Sequence, residues 1–298
     1  MLAVDEINAA GGVQGRAIKL LSHNSAGRAA EAGLAIRQLV EQGAVMVMGS
    51  GSSLEARAAG EQARMLRVPY FVPIAFGNEV TGRFGHRYLF REGASARMAN
   101  NVLMEYLETT YPDKSYFIIT PDDVIENASS GGLAEASRLA ETSSSQESSS
   151  FQHYRDALQR AARSDDDILV LMLYGNDVVR AMQQVAKLGL KKRMVIVVSN
   201  LNQDLVEQAG PSLMEGVIGA DSWNKAVAEH DANSRAKHFV DDYVERYHAY
   251  PSSTAASAYG IVHQWADAVS RARGFDAEKV IQALEDHLGT ILFERSPL

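Results

Sequence analysis

The residues best suited to chemistry follow short apolar runs. The stretch GSGSS, residues 49–53, comes directly after the apolar run 44–48 and opens a predicted helix in which Ser52 or Ser53 is the N-cap. These two hydroxyls, together with the free backbone N–H groups of a helix N-terminus, could bind a carboxylate or another small polar group. Triphosphate binding is the weaker interpretation, because the lysine of such loops is missing.

A second candidate is the stretch LYGND, residues 173–177, in which Tyr174 ends a very apolar run. Its ring could cover an apolar ligand and its hydroxyl could form hydrogen bonds, although a core tyrosine at a strand end has the same pattern. Asp122, Asp123 and Glu126 follow another apolar run. They could bind a cation or an ammonium group, but acidic turn residues are more often simply solvated.

The sequence contains no recognisable catalytic or metal-binding constellation. The eight histidines lack the spacing of a zinc site, and the absence of cysteine excludes thiolate nucleophiles, disulfides and cysteine-ligated metals. No nucleophile elbow, phosphate-binding loop or dinucleotide-binding glycine motif occurs. We therefore expect a protein that is not an enzyme and that uses no cofactor and no metal.

Composition and charge exclude further classes of protein. The 298 residues carry a net charge of −8, and a mildly acidic chain is a poor ligand for nucleic acid, which requires clustered Lys and Arg. The one basic cluster, residues 191–193, falls at a predicted turn. No run approaches the apolar length of a membrane span, and residues 1–20 lack the pattern of a signal peptide.

Predicted strands and helices alternate along almost the entire chain. The strands are apolar throughout, which is typical of parallel strands buried on both faces, so we expect an α/β fold with doubly wound parallel sheets. Ligands of such sheets bind beyond the carboxyl ends of the strands. The predicted strands are 18–22, 44–50, 68–75, 115–120, 165–175, 193–199 and 214–223, and the predicted helices are 3–9, 26–42, 52–66, 100–109, 131–142, 176–190, 234–248, 255–273 and 276–287.

Two segments depart from this alternation. The stretch ETSSSQESSS, residues 141–150, is polar and low in complexity, which favours a flexible surface loop over a modification site. The helix at 3–9 has no strand before it; Gly11 and Gly12 are expected to end it, and Gly15 to serve the turn that follows.

In their order and spacing, these segments resemble the leucine/isoleucine/valine-binding protein family, the type I periplasmic binding proteins of ABC importers. The stretches that carry the resemblance are AVDEINAAGGVQGRAIKLL (first helix and second strand), AVMVMGSGSS and VPYFVPIAFG (strand, serine loop and next strand), DILVLMLYGNDVVRAMQQVAKLGL and AGPSLMEGVIG (second lobe), and FVDDYVERYHAYPSSTAASAYGIVHQWADAV (late helices).

The resemblance implies two Rossmann-like lobes with parallel central sheets, joined by a three-crossover hinge. The N-terminal lobe would comprise 1–92 and 224–288, with the family's first strand absent, and the C-terminal lobe 93–223 and 289–298. The crossovers would lie near 91–96, 221–225 and 288–292.

The implied function is a non-catalytic receptor in the periplasm. It would bind a small ligand (an amino acid, an amide or a small carboxylate) in the cleft between the lobes, close by a hinge motion and deliver the ligand to the membrane permease of an ABC transporter. A ligand-sensing domain of the same fold in a signalling receptor or regulator is the alternative.

The resemblance also assigns ligand-binding residues. Ser53 matches the serine that holds the ligand carboxylate, with Ser52 beside it, and Ile74 matches a position that offers backbone groups. Phe76 replaces a threonine of amino-acid binders. Tyr174 matches a second-lobe tyrosine over the ligand.

Two further positions differ from the family pattern. Ile125 replaces a common tyrosine, and the acid that neutralises the ligand ammonium would fall near Ser199 or Asn200, where this chain has none. An amide, a short carboxylate or an aromatic acid would therefore fit the expected site at least as well as an ordinary α-amino acid.

Overall fold

A computed structural model describes residues 1–120, 124–128, 151–230 and 234–286. The chain forms two compact units. Unit 1 comprises Met1–Ala75, Glu79–Gly93 and the chain from Trp223 onward, and unit 2 comprises Phe76–Asn78 and Ala94–Ser222. The predicted helix 131–142, the serine-rich stretch 141–150 and the predicted crossover 288–292 lie outside the described residues.

The described elements follow one another as strands and helices. The helices are α1 (Leu2–Ala9), α2 (Ala29–Glu41), α3 (Ser53–Leu66), α4 (Ala96–Thr110), α5 (Phe151–Ala161), α6 (Asn176–Lys187), α7 (Gln203–Ala209), α8 (Pro211–Met214), α9 (Lys225–His230), α10 (Ser234–Tyr247), α11 (Ser253–Ala272) and α12 (Ala277–Glu285). The strands are β1 (Val47–Met48), β2 (Tyr70–Val72), β3 (Leu89–Arg91), β4 (Tyr116–Ile119), β5 (Val124–Ala128), β6 (Ile168–Leu171), β7 (Val195–Val198) and β8 (Ile218–Gly219). None of the described helices is long and apolar enough to span a bilayer.

Unit 1 contains a parallel sheet of three strands in the order β1-β2-β3. Successive side chains of β2 point to opposite faces. Tyr70 and Val72 pack with α2 and α3 on one face, and Phe71 packs with α11 and α12 on the other. This two-sided burial explains why the strand is apolar at every position, and the predicted parallel strands near 44–50 and 68–75 are confirmed.

The predicted strand at 18–22 is wrong. Residues 17–25 have no regular secondary structure. Both backbone groups of Ile18 are instead bound by the side chain of Asn8, through Ile18 N to Oδ1 at 2.7 Å and Nδ2 to Ile18 O at 3.0 Å. An apolar run is a strand only where another strand pairs with it, and none among the described residues pairs with this one. The glycines behave as expected, since Gly11, Gly12 and Gly15 all have positive φ.

Unit 2 contains a five-stranded sheet in the order β5-β4-β6-β7-β8. Strands β4, β6, β7 and β8 are parallel, which confirms the predicted fold class. The edge strand β5 is antiparallel, with Ile118 opposite Ile125, although residues 120–127 read as a loop in the sequence. Both faces are covered: α5 and α6 pack on one, and α4 packs on the other.

Asn8 fixes the path of the chain after α1, and its loss should destabilise unit 1. We expect Asn8→Ala to lower the free energy of unfolding by about 1–3 kcal/mol, because it leaves the half-buried amide and carbonyl of Ile18 without partners. Denaturant unfolding followed by circular dichroism measures the change. Asn24→Ala is the matched control, since the exposed Asn24 accepts one local bond, from Ala26 N. Equal stabilities of the two variants would contradict this role.

Tyr154 should make the stability of unit 2 depend on alkaline pH. The side chain is fully buried in α5 and donates a hydrogen bond of 2.6 Å to Asp177 in α6. Burial, followed by this bond to the carboxylate, raises the pKa of Tyr154 to about 12 from the usual value of 10.0. Because the folded-state pKa is the higher one, the contribution to stability is complete below about pH 10 and is lost as the pH rises towards 12.

Unfolding of Tyr154→Phe should therefore show a flatter pH profile. Between about pH 10 and 12 we expect the stability of the unaltered protein to fall by about 2 kcal/mol more than that of the variant. Chemical denaturation at closely spaced pH values measures both profiles. Tyr106→Phe, at a tyrosine with 47% of its surface exposed, should follow the unaltered protein. Parallel profiles for Tyr154→Phe would refute the assignment.

Candidate functional site

The loop of residues 49–53, here called the serine loop, ends at the N-terminus of α3. Ser52 is the N-cap: its backbone is extended and its hydroxyl accepts a bond of 3.3 Å from Glu55 N. Ser53 is the first residue of the helix and is 7% exposed. The backbone N–H groups of the first turn of α3, at the positive end of the helix dipole, therefore lie close to the two serine hydroxyls.

Glu55 holds the serine loop in place. Its side chain is buried, with Oε2 accepting from Gly51 N at 2.9 Å and Oε1 accepting from the hydroxyl of Ser25 at 2.5 Å. A carboxylate in the first turn also interacts favourably with the helix dipole. Both carboxylate oxygens of Glu55 thus bind groups of the protein itself, one in the serine loop and one at Ser25. We therefore regard Glu55 as a residue that positions the loop.

Tyr70 fixes the other end of the serine loop. Its hydroxyl, at the start of β2, donates to Gly49 O at 3.1 Å and forms a hydrogen bond with the hydroxyl of Ser50. Ser50 has a φ of +96°, a conformation that residues with a side chain rarely adopt. Burial is the main cause of the raised pKa of Tyr70, so the phenol stays neutral and keeps its proton for donation.

The remaining loops of unit 1 leave the sheet at the same edge. Gly49 N donates to Phe71 O at 3.0 Å, and Glu92 N donates to Val72 O at 3.2 Å. Ile74 follows β2 after one residue and is half-buried. The carboxyl ends of the three parallel strands therefore carry, side by side, the serine loop, Ile74 and Glu92.

In unit 2, the structure brings two predicted residues together. The rings of Phe76 and Tyr174 are stacked, with centroids 6.0 Å apart and an interplanar angle of 19°. Tyr174 follows β6 and is half-buried, whereas its neighbour Leu173 lies in the apolar core. Phe76 is tied to the start of α4, because its carbonyl accepts from Ala96 N at 2.8 Å. The two rings therefore lie together beyond the carboxyl end of β6.

Asn200 lies in the loop after β7, the strand next to β6. It is half-buried and follows Ser199, which is 1% exposed and whose backbone N donates to Leu171 O at 3.2 Å. Ile125, where the family has a tyrosine, is paired in the sheet and packs against the apolar core. Positions 199 and 200 carry no charged side chain.

Of the three acidic residues that follow β4, the structure describes Glu126. Glu126 forms an ion pair of 3.4 Å with Arg160 of α5, so this acid already has a cationic partner within the chain. Asp122 and Asp123 lie outside the described residues. No cluster of three or more His, Asp or Glu side chains that could hold a metal ion occurs in the ranges that the structure describes.

Sequence reasoning missed three residues of the unit 1 edge: Glu55 and Tyr70 as positioning groups, and Glu92. The spacing of Ser52 and Glu55 matches the S-x-x-E pattern of helix starts and could have identified Glu55. Tyr70 and Glu92 carry no local signal, because each reaches this edge through pairing of strands that are distant in sequence.

Comparison with known proteins agrees with this architecture. A family model described as periplasmic binding protein matches residues 1–291. The Leu/Ile/Val-binding protein homolog 8 of Brucella abortus (strain 2308) is 26% identical over 308 residues, covering 95% of this chain and 73% of the relative.

Solved structures are also similar. The branched-chain amino acid transporter substrate-binding protein LivJ of Streptococcus pneumoniae, in complex with isoleucine, has a TM-score of 0.75 and 25% identity, covering 95% of this chain and 80% of LivJ. A solute-binding protein of an ABC transporter from Rhodopseudomonas palustris BisB5, in complex with 3,4-dihydroxybenzoic acid, has a TM-score of 0.73 and 18% identity, covering 95% of this chain and 77% of that protein. With a family model that matches nearly its whole length, the chain belongs to the type I periplasmic binding proteins.

Proposed function

We propose that this protein is a non-catalytic solute receptor of the periplasm that binds a small carboxylate-bearing ligand and presents it to the membrane permease of an ABC transporter. The observation that carries the proposal is the serine loop. Ser52 and Ser53 stand at the N-terminus of α3, and buried Glu55 and Tyr70 hold the loop in a fixed conformation. A preformed helix N-terminus with hydroxyl donors is suited to a carboxylate.

The aromatic pair of unit 2 supplies the apolar part of the proposed recognition. A small amphipathic ligand needs a surface for its apolar body, and the half-buried Phe76 and Tyr174 rings offer one. Ile74 of unit 1 contributes backbone groups in this proposal, and Asn200 contributes a neutral side-chain amide.

The relatives support a carboxylate as the common feature. The proteins that resemble this chain include one solved with isoleucine and one solved with 3,4-dihydroxybenzoic acid. These two ligands differ in their apolar bodies, and only the first carries an amine. What they share is a carboxylate beside an apolar group, which is the chemistry that the serine loop and the aromatic pair would recognise.

Removing one group from each unit should weaken binding without unfolding the protein. We expect Ser53→Ala and Tyr174→Ala each to weaken ligand binding by about tenfold or more, because each removes polar or aromatic contacts made to the ligand. Calorimetry with L-leucine, L-isoleucine and 3,4-dihydroxybenzoate measures affinity, and thermal unfolding verifies that the variants are folded.

Matched control substitutions at exposed positions should leave affinity unchanged. Ser270 lies on the exposed surface of α11, where its hydroxyl donates to Ala266 O, and Tyr247 has 42% of its surface exposed. Ser270→Ala and Tyr247→Ala should bind as the unaltered protein does. Unchanged affinity in both Ser53→Ala and Tyr174→Ala would refute the site assignment, and no binding of any compound by the unaltered protein would refute the proposed ligand class.

A further inference from the structure

Glu92 occupies the carboxyl edge of the unit 1 sheet together with the serine loop. It follows β3 directly, and its backbone N binds Val72 O of the neighbouring strand β2. Strand β1, which leads into the serine loop, lies on the other side of β2. With strands about 4.8 Å apart, the backbone of Glu92 is roughly 10 Å from that of the serine loop. A glutamate side chain and a small zwitterion together can span such a distance.

The carboxyl group of Glu92 packs against helix α11. The buried hydroxyl of Ser257 in α11 is a neighbour of this carboxyl group and favours its charged form. Gly260, one turn further along the same helix, leaves room for it, because a Cβ there would stand 3.3 Å from Glu92 Oε1. Ser257 and Gly260 lie in the second and third turns of α11, whose N-cap is Ser252.

Glu92 has no ion pair with any of the residues that the structure describes, whereas Glu126 pairs with Arg160. Burial raises the pKa of Glu92, and the neighbouring Ser257 hydroxyl lowers it in part. Burial of a carboxylate without a neighbouring cation reduces the free energy of unfolding. Such groups are typical of ligand-binding and catalytic sites. Glu55, the other acid of this edge, differs because the serine loop and Ser25 already supply its donors.

We propose that Glu92 binds the ammonium group of the ligand. The inference rests on the proposed function and names its substrate class, a zwitterionic α-amino acid. The ligand carboxylate would lie at the serine loop and its ammonium group at Glu92, so both charged ends would be held by unit 1. Glu92 would thereby replace the acid that is missing at positions 199 and 200 of unit 2.

The test compares two ligands that differ only in the amine. L-Leucine and 4-methylpentanoate share a carbon skeleton and a carboxylate, and only leucine carries an ammonium group. We expect the unaltered protein to bind leucine at least about tenfold more tightly, as hydrogen bonds to charged groups predict. Glu92→Gln, which keeps the size of the side chain and removes its charge, should remove this preference by weakening the binding of leucine alone. Calorimetry measures all four affinities.

Two further variants separate direct binding from positioning. Glu55→Gln should weaken both ligands to the same extent, because Glu55 positions the loop that holds the carboxylate. Gly260→Ala should weaken leucine alone, since the added methyl group crowds the Glu92 carboxyl group while favouring the helix. This variant also tests the inference if Glu92→Gln fails to fold.

Each remaining outcome has a distinct meaning. If Glu92→Gln keeps the leucine preference of the unaltered protein, or weakens both ligands equally, the inference about Glu92 is overturned while the proposed function stands. If the unaltered protein binds both ligands equally well, the inference is likewise overturned. If it binds 3,4-dihydroxybenzoate but neither of these ligands, the inference is overturned and the proposed function stands; if it binds none of the three compounds, the proposed ligand class itself is overturned.

Discussion

Parallel pairing of strands buried on both faces is the constraint on which each unit depends. A strand such as β6, whose four residues have no exposed surface, is stable only with partners on both edges and helices on both faces. Parallel pairing requires a crossover between successive strands, so all the carboxyl ends come to one edge of the sheet. The candidate binding residues stand at such edges, in the loops that follow the strands or at the start of the next helix.

In the serine loop, buried side chains hold a segment rich in glycine and serine in one conformation. Its backbone includes Ser50 in an uncommon conformation, and the hydrogen bonds from Tyr70 and to Glu55 offset the cost. Both of these groups are buried, so they compete little with water for their partners. A loop held in this way loses little entropy when it binds a ligand, and more of the interaction free energy is retained as affinity.

The fold was largely predictable because it is encoded by local patterns, and the errors have one cause. Apolar runs identified β2, β4, β6 and β7, and N-caps and glycines identified most helix ends. The run at 18–22 has the same pattern as those strands but lacks a described partner, and its backbone is bound by Asn8. The reverse error occurred at β5, whose turn-like sequence forms an antiparallel edge strand on β4. Strand pairing is a long-range property that no local pattern reports.

By itself, the sequence determined the order of strands and helices, the position of a serine-bearing helix N-terminus and the absence of cysteine chemistry, because these follow from residue type and near-neighbour spacing. Only the tertiary structure shows which side chains from distant parts of the sequence lie close together. Stacking of Phe76 on Tyr174 and placement of Glu92 beside β2 join residues that are far apart in the chain. Their proximity arises from the register of parallel strands and the packing of α11, which only the complete fold specifies.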